Sequence, residues 1–347
     1  MLRIAMIAGT DQLRGSVSRK AHVAALAEAL TRAGHEVTVH TRHDDLTARL
    51  RSGAPDLVHA HCPVDGAAAA AHAIDVPFVF SPHEVTGQDD RALRSADHVV
   101  ATFSAQRARL VAAGVARENI SLVPYGVDLD LFDPDGDQAE RTRPQRVVAL
   151  GEMTPSSGFG TAVAALPALP EAELVIASEP YEGAHAHELR DYASSLGVAD
   201  RVRLLGAVPH AEMPALLRSA DLMVCTQWES TFGIAALEAM ACGLAVVANK
   251  VGGLVDTVVD RVTGIHVTPR KPRELAATLQ RVLSHRSTCE QFGAAGRDRA
   301  TARYSWDRVA EETVYVYRKA GAADPEVLAQ EAMVAERKRA SRLAAQG

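Results

Sequence analysis

Chemistry in this chain is densest between Phe232 and Glu238. Phe232, Gly233, Ile234 and Ala235 are expected to open a helix. The first turn of a helix leaves backbone N–H groups unpaired at the positive end of its dipole, where an anion is stabilised. Gly233 has no Cβ, so an oxygen can come close to the backbone there. Glu238 lies a turn or more inside, where its carboxylate can accept hydrogen bonds from two hydroxyls; the plainer alternative is a surface helix carboxylate. His83, in the run SPHEVTG at 81–87, follows a strand end, and by position alone it is an ordinary loop histidine. His59 and His61 are two apart on a strand and can share a face. Two histidines fall short of a metal's ligand set, and no metal is expected. Cys62, Cys225, Cys242 and Cys289 are scattered without a CxxC pair, which reads as reduced thiols in a cytoplasmic protein.

The elements that must position these residues follow from length and pattern. A chain of 347 residues suits two α/β domains rather than one core. The net charge of −6 argues against a nucleic-acid partner. No apolar run reaches the roughly 20 residues that span a bilayer, and residues 1–8 read as a first strand rather than a signal peptide. Abundant Ala and a preference for Arg over Lys point to a bacterial source. Short apolar runs alternate with helical patterns, the signature of parallel sheets with crossover helices. Strands are expected at 3–8, 37–41, 56–60, 77–81, 98–102 and 120–124, then at 146–151, 173–177, 201–206, 222–226 and 245–248. Helices are expected at 22–33 and 104–113, stopped by Gly34 and Gly114. The polar, breaker-rich stretch 133–144 reads as a domain linker. From Lys271 the chain turns helical, and 325–347 reads as a helix or tail. Doubly wound domains bind ligands at the C-terminal ends of their strands, here with a cleft between two domains.

Specific motifs carry a resemblance. Residues 214–221 (PALLRSAD), 228–243 (WESTFGIAALEAMACG), 251–257 (VGGLVDT) and 262–267 (VTGIHV) resemble the retaining glycosyltransferases of family 4. The likeness is greatest to the mycothiol-pathway and sucrose-phosphate synthase group. Residues 25–39 (ALAEALTRAGHEVTV), 56–61 (DLVHAH) and 123–128 (VPYGVD) agree more loosely, and the first half is shorter than usual between about Asp45 and Asp56. The resemblance implies an α/β GT-B fold, two doubly wound Rossmann-like domains facing a central cleft. It places an acceptor-side domain at 1–140, a nucleotide-sugar-binding domain at 141–303, a helix crossing back at 304–320 and a charged tail at 321–347. It also implies that Phe232, Gly233, Ile234 and Ala235 hold a donor diphosphate, that Glu238 holds the nucleotide ribose, and that His83 lies beside the donor sugar as the candidate catalytic residue. No cofactor and no metal are implied.

Three departures from the family pattern fall together. Gly151 is followed by Glu152 where relatives carry Arg, Ser157 stands for the Lys before Gly158, and Ser230 stands for the first of two paired glutamates, with Glu229 beside it. The family's paired-glycine loop is replaced by GSVSRK at 15–20. A charge-assisted hydrogen bond is worth about 1.5–3 kcal/mol, so these losses would weaken a diphosphate grip and its role for the leaving group. Arg14, Arg19 and Lys20 lie in the loop before the first helix, where positive charge opposes the dipole unless an anion is near; Arg19 and Lys20 are the expected replacement, or else a solvated helix start.

The expected function is transfer of a sugar, with retention, from a nucleotide-sugar donor to a small-molecule acceptor. Two alternatives stay open: a degenerate relative acting as a partner or ligand-binding subunit, and another GT-B chemistry such as epimerisation. A second copy of the chain or a partner glycosyltransferase is a further expected binding partner.

Overall fold

The computed structural model describes residues 1–8, 17–41, 45–62, 66–82, 90–179, 183–229 and 232–322, and leaves out the side chains of 17–21, 90 and 179. Two compact units emerge. The first takes Met1–Ala101, Arg107–Val123 and the chain from Val309 onward; the second takes Thr102–Gln106 and Pro124–Arg308.

In the first unit the strands are β1 (Arg3–Ile7), β2 (Glu36–His40), β3 (Leu57–Ala60), β4 (Phe78–Phe80), β5 (His98–Ala101) and β6 (Ile120–Leu122). They form one parallel sheet in the order β2-β1-β3-β4-β5-β6. The inner strands are buried along their length, as parallel strands covered on both faces must be. The helices are α1 (Val17–Arg32), α2 (Leu46–Gly53), α3 (Ala67–His72), α4 (Asp90–Ser95) and α5 (Ser104–Ala112). Helix α2 occupies most of the stretch between Asp45 and Asp56.

The second unit holds β7 (Gln145–Glu152), β8 (Ala172–Glu179), β9 (Val202–Leu205), β10 (Leu222–Cys225), β11 (Val246–Asn249) and β12 (Gly264–Val267). Their order is β12-β11-β10-β7-β8-β9, all parallel. Helices α6 (Phe159–Ala165), α7 (Ala184–Ser195), α8 (Met213–Arg218), α9 (Ile234–Ala241), α10 (Leu254–Thr257), α11 (Pro272–Leu283) and α12 (Arg286–Tyr304) follow, and α13 (Trp306–Lys319) begins in this unit and belongs to the first from Val309 onward. Alternate strand residues feed two cores. Val148, Val175 and Met223 pack with α9, while Val147, Leu174 and Val224 pack with α6 and α11. Strand β12 is absent from the expected strands; it is four residues long and begins with Gly264, where a Cβ would lie 2.2 Å from the Val246 carbonyl oxygen.

The stretch 133–144 is not a free linker. Arg218 donates to the carbonyls of Asp133 and Asp137, Arg297 to Asp133 and Arg141 to Asp221, so side chains of the second unit hold it down. Its polar composition reflects these bonds. The short segment 102–106 is held in the same unit, with Ser104 donating to Asp256 through its amide at 2.7 Å and its hydroxyl at 2.8 Å. Residues 123–128 serve packing here: the Val127 amide donates to the Tyr304 carbonyl, and the Trp306 ring occupies the place of a Cβ on Gly126.

Candidate functional site at the switch point of the second sheet

In the second sheet β7 and β10 are neighbours, but the chain leaves β7 toward β8 and leaves β10 toward β11. Two connections therefore diverge at one place, the position where open α/β sheets bind ligands. The loop after β7 makes a short turn at Pro155–Ser157 and enters α6 through Gly158. The connection after β10 runs through Thr226, Gln227 and Trp228 to α9. The two are stitched together. The Trp228 amide donates to the Ser156 carbonyl at 2.9 Å, and the Thr226 hydroxyl to the Ser157 carbonyl at 2.9 Å. Gly158 is required: its φ is 69°, and a Cβ there would lie 2.1 Å from the Thr226 carbonyl oxygen. From β11, Asn249 donates to the carbonyls of Thr226 and Gln227.

Helix α9 starts from this frame. Gly233 precedes it with φ 85°, the left-handed region glycine enters freely. Leu254 fills the space a Cβ would need on Gly233, and Thr257 donates to the Phe232 carbonyl, fixing the turn. Phe232 is buried edge-to-face against Tyr125, with centroids 5.0 Å apart. Ile234 and Ala235 form the first turn of α9. Gly151, near the end of β7, is the in-register neighbour of Ser178.

Glu238 lies within α9 at 8% exposure, so it is not a surface carboxylate. Its Oε1 accepts from His210 Nε2 at 3.2 Å. The His210 ring packs edge-on against Phe132, centroids 5.1 Å apart. Burial pushes the Glu238 carboxyl above its ordinary range, against the opposing pull of His210. Its bond to Glu238 raises the His210 pKa in turn, against burial, with Asp128 adding to the rise. Sequence reasoning missed His210: 28 residues separate it from Glu238, and no local period links them.

Several expected residues lie elsewhere. His83 and Ser230 fall outside the described residues. Arg19 and Lys20 lie in α1, but their side chains also fall outside. His59 and His61 do share a face, with ring centroids 4.1 Å apart. His59, however, is bonded at both nitrogens, to Tyr317 at 2.8 Å and Ser81 at 2.7 Å, which is a packing role in the first unit. Among the described residues no three His, Cys, Asp or Glu side chains converge on a metal position, and no helix is long and apolar enough to cross a membrane.

Comparison with known proteins agrees with this geometry. The chain matches the family models "Glycosyl transferases group 1" over residues 135–299 and "Glycosyltransferase Family 4" over residues 42–131. A D-inositol 3-phosphate glycosyltransferase of Salinispora arenicola is 33% identical over 329 residues, which cover 86% of this chain and 72% of that one. The glycogen synthase of Mycobacterium tuberculosis is 31% identical over 293 residues, covering 77% and 69%. The structure of sucrose-phosphate synthase from Thermosynechococcus elongatus matches with a TM-score of 0.77 at 23% identity, over 93% of this chain and 100% of that one, and supports the fold. With its two parallel α/β sheets, the chain belongs to the group 1 and family 4 glycosyltransferases, enzymes of GT-B fold.

Proposed function

We propose that this glycosyltransferase moves a sugar, with retention and without a metal ion, from a nucleotide-sugar donor to a small-molecule acceptor. The observation that carries the reading is Glu238, a buried carboxylate inside α9, directly behind the Gly233 turn at the switch point. The amides of Ile234 and Ala235 would meet the donor diphosphate at the positive end of α9. The Glu238 carboxylate would accept the ribose hydroxyls, and His83 would lie beside the sugar. Retention needs no carboxylate nucleophile in this reading, because a donor phosphate oxygen helps to deprotonate the acceptor.

A second reading, a degenerate subunit that binds a partner, has its own support. Ser157, in place of a cation, turns its hydroxyl back to the Glu152 carbonyl within the same loop. Calorimetric titration with UDP, GDP, ADP and TDP tests the two. The transferase reading expects one diphosphate to bind the wild type and to bind Glu238→Ala at least about tenfold more weakly, since charge-assisted bonds worth about 1.5–3 kcal/mol are lost. Failure of all four to bind the folded protein would favour the partner-binding reading instead.

A further inference from the structure

We propose that Arg270 grips the donor diphosphate in this chain, in place of the two basic side chains that Glu152 and Ser157 replace. The proposal rests on the donor-site reading above and adds the missing cation to it.

Arg270 follows β12 in the sequence Thr268-Pro269-Arg270-Lys271. Its backbone is left-handed, φ 59°, a conformation that non-glycine residues adopt at a cost. Its guanidinium lies over the Trp228 ring, with Cζ 3.9 Å from the centroid. That ring is not a loose surface group. The Trp228 amide is bonded to the Ser156 carbonyl, and its Nε1 sits where a Cβ on Gly158 would come within 2.8 Å. Trp228 is thus a plate fastened to the turn Pro155–Ser157, and it holds a cation from the edge strand's loop against the switch point.

The stacking also decides what the cation can do. A guanidinium held over an aromatic ring still carries all its N–H donors in its own plane, available to an acceptor beside the ring. Among the described residues, no carboxylate or carbonyl accepts from Arg270. Other arginines of the second unit are spent on structure: Arg146, Arg218, Arg297 and Arg299 each donate to carbonyl oxygens of their own unit. A planar fork of donors with no acceptor among the described residues, held over Trp228, suits a phosphate group, which takes two parallel bonds. Stacking also restricts the long side chain beforehand, so less freedom is lost on binding.

The test is calorimetry on the full chain, using whichever diphosphate binds the wild type and the matching nucleoside monophosphate. Arg270→Ala is expected to weaken the diphosphate roughly tenfold to hundredfold, the range for one lost charge-assisted contact, and to leave the monophosphate within about twofold. Arg270→Lys should recover part of the loss, Trp228→Leu should reproduce part of it, and Lys271→Ala should change neither ligand. Unchanged diphosphate affinity in Arg270→Ala overturns the proposal, as does an equal loss for both ligands. A wild type that binds no diphosphate overturns the donor-site reading itself, and Arg270's role with it.

Discussion

The two ends of the second sheet treat polar groups in opposite ways. At the N-terminal ends, Arg146 on β7 faces its in-register partner Glu173 on β8, both almost wholly buried, at 1% and 0% side-chain exposure. Every arm is used: Arg146 also donates to Ser219 and to the Glu140 carbonyl, and Thr142 donates twice to Glu173. Near the C-terminal ends the same strands carry Gly151 and Glu152 on β7 and Ser178 on β8. Among the described residues the buried Ser178 hydroxyl has no hydrogen-bond partner, and Arg270, lying over Trp228, donates to no acceptor. A saturated buried network costs nothing further and holds structure together. Groups left open at a switch point await something from outside the chain.

Breaking the closed end should have the largest effect. Glu173→Ala strands the buried Arg146 guanidinium and is expected to cost about 3–5 kcal/mol, read as a lower denaturant midpoint. Glu238→Ala at the open end, which loses only the bond to His210, should lower that midpoint much less; comparable losses at the two ends would collapse the contrast. A smaller effect separates two glycines at the start of α6. Gly158→Ala drives a Cβ to within 2.1 Å of the Thr226 carbonyl oxygen and should destabilise by about 1–3 kcal/mol. Gly160→Ala, with nothing within 4 Å, should be neutral or slightly stabilising because it restricts the unfolded chain.

The smallest effect concerns pH, and the two ends should respond on opposite flanks. Burial alone would raise the Glu173 carboxyl, but bonds from Thr142 and Arg146 outweigh it and hold the pKa below its ordinary 4.5. Its contribution is therefore complete above that value and is lost as pH falls through the folded pKa. The His210 pKa is raised above 6.5, so its contribution is complete below 6.5 and is lost as pH rises through the folded pKa. The raised pKa of Glu238 acts with the same sign. Stability of the wild type should decline above pH 6.5, and His210→Ala should flatten that decline. An unchanged slope in the variant would remove His210 from the account.

Much of the fold was legible in the sequence, because apolar runs and breakers act locally. Runs such as Val147–Val148 and Leu222–Cys225 read as strands since a parallel strand must bury both faces. The start of α9 was legible because Gly233 and the apolar residues after it form a local pattern. The stretch 133–144 was misread as a linker for the reverse reason: its anchors, Arg218 and Arg297, lie far along the chain, and no local period encodes them.

The sequence by itself determined the family, the α/β alternation and the place of Glu238 on a helix, all properties of short windows and contiguous motifs. Only the tertiary structure decided what each polar group faces. It put His210 against Glu238, Arg270 over Trp228, and His59 between Tyr317 and Ser81. The physical reason is that partner, burial and pKa depend on which strands lie side by side, and strand order is set by packing across the whole sheet.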